Sequence, residues 1–258
     1  MNFKTEYAIK IITKQSTLDM EDKLKRELTI MNKIKQNSYC VSLRDISQSE
    51  YHIYIVMEYC QIGDLFQFKQ KYPSLTESKQ FIKDILCAIE YLHGQNIVHR
   101  DIKPENIFVS RSSTNKEYSF KLGDFGEAEC LQDNRVSTLR GTPQFMAPEL
   151  LLSEGKPVAA KETDLWSFGG TVYTYFTDTL LWQVQEGQDS YLEGLKKAVQ
   201  KAHGVVDCSD ITSPTLVDFL QRMLQVEPSN RATPQELQQH PFLSDQEVIT
   251  EEEEDLGI

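Results

Sequence analysis

Two short strings constrain this chain more than anything else in it: His-Arg-Asp-Ile-Lys-Pro-Glu-Asn at residues 99–106 and Asp-Phe-Gly at residues 124–126. The first places a carboxylate, Asp101, just ahead of a lysine, Lys103, and an amide, Asn106. The second brings another carboxylate, Asp124, followed by a glycine, Gly126, that lets the backbone turn sharply. Together they supply what phosphoryl transfer needs: a group to orient a hydroxyl, a cation for phosphate and two oxygen ligands for Mg²⁺. Either string alone can arise by chance. Both in this order, with Ala147-Pro148-Glu149 after them, do not.

These strings make the chain resemble the eukaryotic protein kinases. The resemblance covers essentially residues 7 to 244 and implies an α+β, bilobal fold. Residues 1–60 would form a partial N-lobe, with the third to fifth strands and the regulatory helix. Residues 61–244 would form a larger, mostly helical C-lobe with catalytic loop and activation segment, and residues 245–258 an acidic tail. The implied activity is transfer of the γ-phosphoryl of ATP, with Mg²⁺, to protein Ser or Thr hydroxyls. Such a hydroxyl titrates far above neutrality, so a carboxylate, Asp101, must align it and accept its proton late in transfer. Lys103 would neutralise the migrating phosphoryl, while Asn106 and Asp124 hold Mg²⁺ through hard oxygens.

Composition permits this reading without requiring it. At 258 residues and 40% hydrophobic content the chain suits a soluble enzyme of one large or two smaller domains. No uninterrupted apolar run approaches the roughly 18 residues of a membrane helix. The start, Met1-Asn2-Phe3-Lys4, lacks the basic-then-apolar pattern of a secretory signal. The five cysteines are widely spaced and form no CxxC or Cys/His cluster, so free thiols in a reducing, intracellular, cytoplasmic setting are expected. A net charge of −12 speaks against sequence-independent nucleic-acid binding. It suits basic protein substrates, although a solvated acidic surface explains it equally well. Nothing in the chain indicates its oligomeric state.

Residues 7–12 form a β-favouring run broken by Lys10. A lysine inside an apolar strand commonly snorkels to solvent. The resemblance instead makes Lys10 the residue that reaches the nucleotide phosphates. Leu24, Leu28, Met31 and Ile34 then recur at helical spacing and predict a helix over 20–35. Within it Glu27 matches the glutamate that pairs with the strand lysine, and Glu21 is the weaker candidate. Residues 52–59 predict another strand, running into an expected interlobe hinge. By resemblance Ala8, Met57, Glu58, Cys60 and Phe108 would surround the nucleotide together with Lys10, Glu27 and Asp124.

Beyond the hinge, apolar stripes predict helices at 81–92 and near 164–177, 190–202 and 215–226. Short strands at 107–109 and 120–122 flank a polar stretch, 111–118, that reads as a surface loop. Lys103 resembles the Ser/Thr-specific branch, and Thr142 would bond the Asp101–Lys103 pair. Glu149 is expected to form a buried ion pair with Arg231, and Asp164 to support the catalytic-loop backbone. His99 and Phe125 are expected to pack with Met31 and Leu43. Arg100 is of the type that binds an activation-segment phosphate, for which Ser137 and Thr138 are the acceptors, an ordinary polar loop being the alternative. Cys130 reads as a bystander thiol. Glu105 and Asp64 match positions that select basic residues before the target hydroxyl. The run Glu251 to Asp255 reads as a solvated, disordered end.

One part of the family pattern is missing. The family opens with two strands joined by a GxGxxG loop over the phosphates, and here no glycine precedes Gly63. Too few residues precede Lys10 for a two-strand hairpin of about 15–25 residues. Three explanations compete: an incomplete gene model, a divergent enzyme that manages without the loop, and a degenerate kinase. A non-catalytic, pseudokinase-like interaction module or inactive fragment is therefore the alternative to an active enzyme.

Overall fold

The computed structural model describes residues 6–14, 18–73, 79–111, 117–131, 140–153, 160–184 and 190–244. Ser137, Thr138, most of the polar stretch at 111–118 and the acidic tail lie outside them. The architecture is α+β, a small sheet-bearing N-terminal part followed by a larger helical part.

Strand β1 (Tyr7–Thr13) alternates as a half-buried strand should, with Tyr7, Ile9 and Ile11 outward and Ala8, Lys10 and Ile12 turned inward. It pairs antiparallel with β3 (His52–Glu58), Lys10 opposite Ile55 and Ala8 opposite Met57. Strand β2 (Leu43–Gln48) covers the other side of β3, giving the order β1-β3-β2. Helix α1 (Leu18–Ile34) buries Ile30, Met31 and Ile34, with Glu27 buried beside them, and lies against the turn at Phe125–Glu127.

The chain leaves β3 and makes a two-residue strand, β4 (Gly63–Asp64), which pairs with β6 (Ile107–Arg111). Asp64 then caps α2 (Leu65–Lys71) in a reciprocal capping box with Gln67. Helix α3 (Gln80–Gly94) is buried along the face carrying Phe81, Ile82, Ile85, Ile89 and Leu92, the stripe that predicted it. It ends before β5 (Ile97–Val98). The loop after β5 leads into β6, which pairs with β7 (Tyr118–Leu122). Beyond Asp124 a short strand, β8 (Glu129–Cys130), returns to pair with β5.

Below the sheets lie α4 (Pro148–Leu151), α5 (Lys161–Thr177), α6 (Tyr191–Lys201), α7 (Pro214–Met223) and α8 (Pro234–Gln238). Helix α5 is buried almost throughout, from Thr163 to Tyr175, and forms the centre of this part. Ser190, Ser213 and Thr233 cap α6, α7 and α8 with their hydroxyls.

Candidate active site

Asp101 sits in the loop between β5 and β6, and four groups fix its carboxylate. Oδ1 accepts from the Thr142 amide and hydroxyl, each at 2.7 Å. Oδ2 accepts from Asn106 Nδ2 at 3.0 Å and lies 3.1 Å from Lys103 Nζ. Lys103 also donates to Thr142 Oγ1 at 2.6 Å, and Asn106 to the Asp101 carbonyl at 2.8 Å. The expected contact of Thr142 with the Asp101–Lys103 pair is present. Thr142 follows Gly141, whose φ is +101° and whose Cβ, if it had one, would lie 2.3 Å from the Arg100 carbonyl oxygen. Glycine is required where the end of the activation segment crosses the loop.

The loop backbone hangs from Asp164 on α5. Its fully buried carboxylate accepts from the His99 amide at 2.9 Å and the Arg100 amide at 2.8 Å, and contacts His93 Nε2 at 2.9 Å. Burial alone would push this carboxyl up. The His93 ring, with the His99 ring nearby and the Arg100 amide, holds it below the usual range. The His99 ring donates from Nε2 to the Gly123 carbonyl, 2.9 Å away, and meets Phe125 edge-on at 5.2 Å. It packs rather than reacts.

The second cluster joins the two parts of the fold. Lys10 Nζ donates to Glu27 Oε1 at 2.6 Å and to Asp124 Oδ1 at 3.0 Å. Burial opposes the charge on Lys10, but the Glu27 and Asp124 carboxylates outweigh it and raise its pKa. Burial likewise works against the Asp124 carboxylate, and Lys10 reverses the sign, holding it low. Asp124 lies in the left-handed region, φ +54°, which aims its carboxylate at Lys10. Glu21 is engaged with Lys25 at 3.9 Å on the exposed face of α1, leaving Glu27 as the partner.

The second cluster lines a cavity of about 410 Å³, and the first reaches it through Asn106. Ala8, Lys10, Glu27, Met57, Glu58, Cys60, Asn106, Phe108 and Asp124, the residues expected around nucleotide and metal, all line it. Met31 and Phe125 border it too, as do Val41 and Tyr59, which carry no motif and were not singled out in the sequence. Among the described residues Asn106 Oδ1 and Asp124 Oδ2 accept no hydrogen bond. No group of three or more His, Cys, Asp or Glu suited to a metal occurs among those residues. Two hard oxygens beside a cavity fit Mg²⁺, which takes its remaining ligands from phosphate and water. Burial pushes the Cys60 thiol up, consistent with an inert wall residue.

The remaining expected residues lie away from the cavity. Arg231 forms a bidentate pair with Glu149 at 2.7 and 2.8 Å, donates to the Glu162 and Gln225 carbonyls, and stacks on Trp166. Asp64 is committed to the N-terminus of α2, whereas Glu105 is exposed. The sequence reading missed the partner of Arg100. Its guanidinium donates to Glu129, a residue with no motif around it.

The family described as protein kinase domain matches residues 2–243. The serine/threonine protein kinase OSK3 of Oryza sativa subsp. indica is 32% identical over 240 residues, 91% of this chain and 44% of that protein. The serine/threonine-protein kinase DCLK3 of Mus musculus is 32% identical over 243 residues, 93% of this chain and 30% of its own. For the serine/threonine-protein kinase ULK1 of Homo sapiens the values are 33% over 246 residues, 92% and 23%. The chain belongs to the protein kinase domain family, as the motifs implied. It spans less than half the length of these relatives.

Proposed function

We propose that this chain is a serine/threonine protein kinase that transfers the γ-phosphoryl of ATP to protein hydroxyls. The observation that carries the reading is the Lys10–Glu27–Asp124 cluster lining one cavity that the Asp101–Lys103–Thr142–Asn106 cluster joins through Asn106. The relatives, each named a serine/threonine kinase, agree.

Asp101 orients the acceptor hydroxyl and takes its proton as the new bond to phosphorus forms, while Lys103 balances the charge that migrates. Lys10, held forward by Glu27, positions the phosphates, and the walls from Ala8, Met57, Cys60 and Phe108 exclude water from the base. Mg²⁺, held by Asn106 and Asp124, would screen the repulsion among phosphate oxygens. With a net charge of −12 and Glu105 exposed beside the catalytic loop, the substrates are basic around the acceptor residue. Among the described residues no helix is long and apolar enough to cross a membrane.

The test is transfer of labelled γ-phosphate to a basic generic peptide, with Asp101→Asn and Asp124→Asn as controls. Transfer should fall by about a hundredfold or more in each variant while thermal midpoints stay close to the parent. A folded parent with no Asp101-dependent transfer would leave a binding module instead of an enzyme.

A further inference from the structure

Arg100 is, by resemblance, of the type that binds a phosphate on the activation segment, an ordinary polar loop being the alternative. Instead its guanidinium is already engaged by a carboxylate of the chain itself. Strand β8 pairs antiparallel with β5, Glu129 opposite Val98, so the register brings Glu129 to the end of β5, two residues before Arg100. Arg100 Nη1 donates to Glu129 Oε2, and both side chains are only 6% exposed. The surroundings are positive. Arg26 of α1 and Arg140 both bear on Arg100, and Glu127 is shared between Lys23 at 2.5 Å and Arg140 at 3.7 Å.

The backbone at Arg100 also needs holding. Its φ is +68°, a left-handed conformation that a long side chain keeps only when its surroundings impose it. Two carboxylates do so from opposite ends: Asp164 takes the amide and Glu129 the guanidinium. Asp101 is the next residue, and the Arg100 carbonyl is the surface over which Gly141 passes. Whatever fixes Arg100 therefore fixes both the catalytic carboxylate and the end of the activation segment.

We propose that Glu129 is a positioning residue that does for Arg100 what a segment phosphate would otherwise do, so that the catalytic loop is ordered without phosphorylation. A phosphate would have to displace a pair that is almost dry and registered by strand pairing. Removing one partner of such a pair leaves an uncompensated buried charge. The proposal rests on the kinase reading above for its kinetic consequences, and on the ladder geometry alone for its structural ones.

The experiment uses the whole chain freed of phosphate by a co-expressed phosphatase, with intact mass as the check. Transfer kinetics and hydrogen exchange across 99–106 and 125–131 are measured. The phosphate-free chain should keep its kcat within about twofold of untreated protein. Glu129→Gln should lower kcat about tenfold or more with KM for ATP nearly unchanged, and speed exchange across 99–106. A large loss of kcat on dephosphorylation, or a Glu129→Gln chain with parental kcat and exchange, overturns the proposal. The dephosphorylation arm needs no variant, so a Glu129→Gln chain that fails to fold does not shelter it. If no form shows Asp101-dependent transfer, the kinase reading fails, and the exchange comparison still decides whether Glu129 orders the loop.

Discussion

Gly141 and Asp164 meet the catalytic loop from opposite sides, and each is legible as a single physical demand. At Gly141 both the positive φ and the 2.3 Å approach of a notional Cβ to the Arg100 oxygen exclude a side chain. Gly141→Ala should therefore move Thr142 off Asp101 and lower kcat by about tenfold or more, read by peptide phosphorylation beside an unchanged far-UV spectrum. Unchanged kcat would show that the loop does not depend on the crossing. At Asp164 both oxygens accept from backbone amides, so Asn must point its NH₂ at a donor in either orientation. Asp164→Asn should destabilise the fold by about 1–3 kcal/mol in urea denaturation. The pH dependence follows from its lowered pKa. A carboxyl that titrates below its usual 3.8 when folded contributes stability above 3.8, and this is lost as pH falls through the lower folded value. The parent should thus lose stability on acidification below about pH 4 more steeply than Asp164→Asn. Parallel slopes would remove Asp164 from the balance.

Among the elements, α5 organises the helical part, and its packing shows where sequence reading succeeds and stops. The apolar stripes announced α1, α3, α5, α6 and α7, because long helices repeat their buried face several times over. Helix α2, with only seven residues, gives no such repeat, and its one sequence signal is the capping Asp64, which also matches a position that selects basic substrate residues. Strands β4, β5 and β8 are two residues each and exist only through their partners, so no local pattern could reveal them. Within α5, Gly169 is closed in by α7 and the residue after it: a Cβ there would meet Leu224 Cδ2 at 2.9 Å and Met223 Cβ at 3.0 Å. Gly169→Leu should force the elements apart and destabilise by about 1–3 kcal/mol, although the helix itself would gain from losing a glycine. Beside it, Arg231 holds α4 through Glu149 with no exposed side-chain surface of its own. Arg231→Met should cost toward the low end of about 3–5 kcal/mol, since Glu149 keeps some contact with water. A urea midpoint indistinguishable from the parent for either variant would mean the packing there is slack.

The two parts of the fold meet where Lys10 reaches Asp124, and this junction explains which site residues were legible. Asp101, Lys103, Asn106 and Asp124 stand in motifs, and the proposed transfer would demand their side chains. Val41 and Tyr59 only offer wall, a task many residues perform, and Glu129 acts through strand register that no spacing in the sequence displays. Ligand linkage tests the junction itself. A ligand bound only by the folded chain stabilises it by about 2.7 kcal/mol at a hundred times its Kd. On the proposed reading nucleotide alone would have the apolar walls and Lys10 to hold it, whereas Mg²⁺ would add the oxygens of Asn106 and Asp124. ATP without metal should raise the thermal midpoint modestly, and Mg²⁺ should raise it further in the parent. In Asp124→Asn the increment due to Mg²⁺ should shrink sharply while the metal-free shift persists, because Lys10 keeps Glu27 as its partner at 2.6 Å. Lys10→Met should do the reverse, reducing the metal-free shift first. Equal responses of the two variants to nucleotide and metal would mean that the lysine and the aspartate do not divide phosphate and metal between them, and that the cavity takes its ligand in some other way.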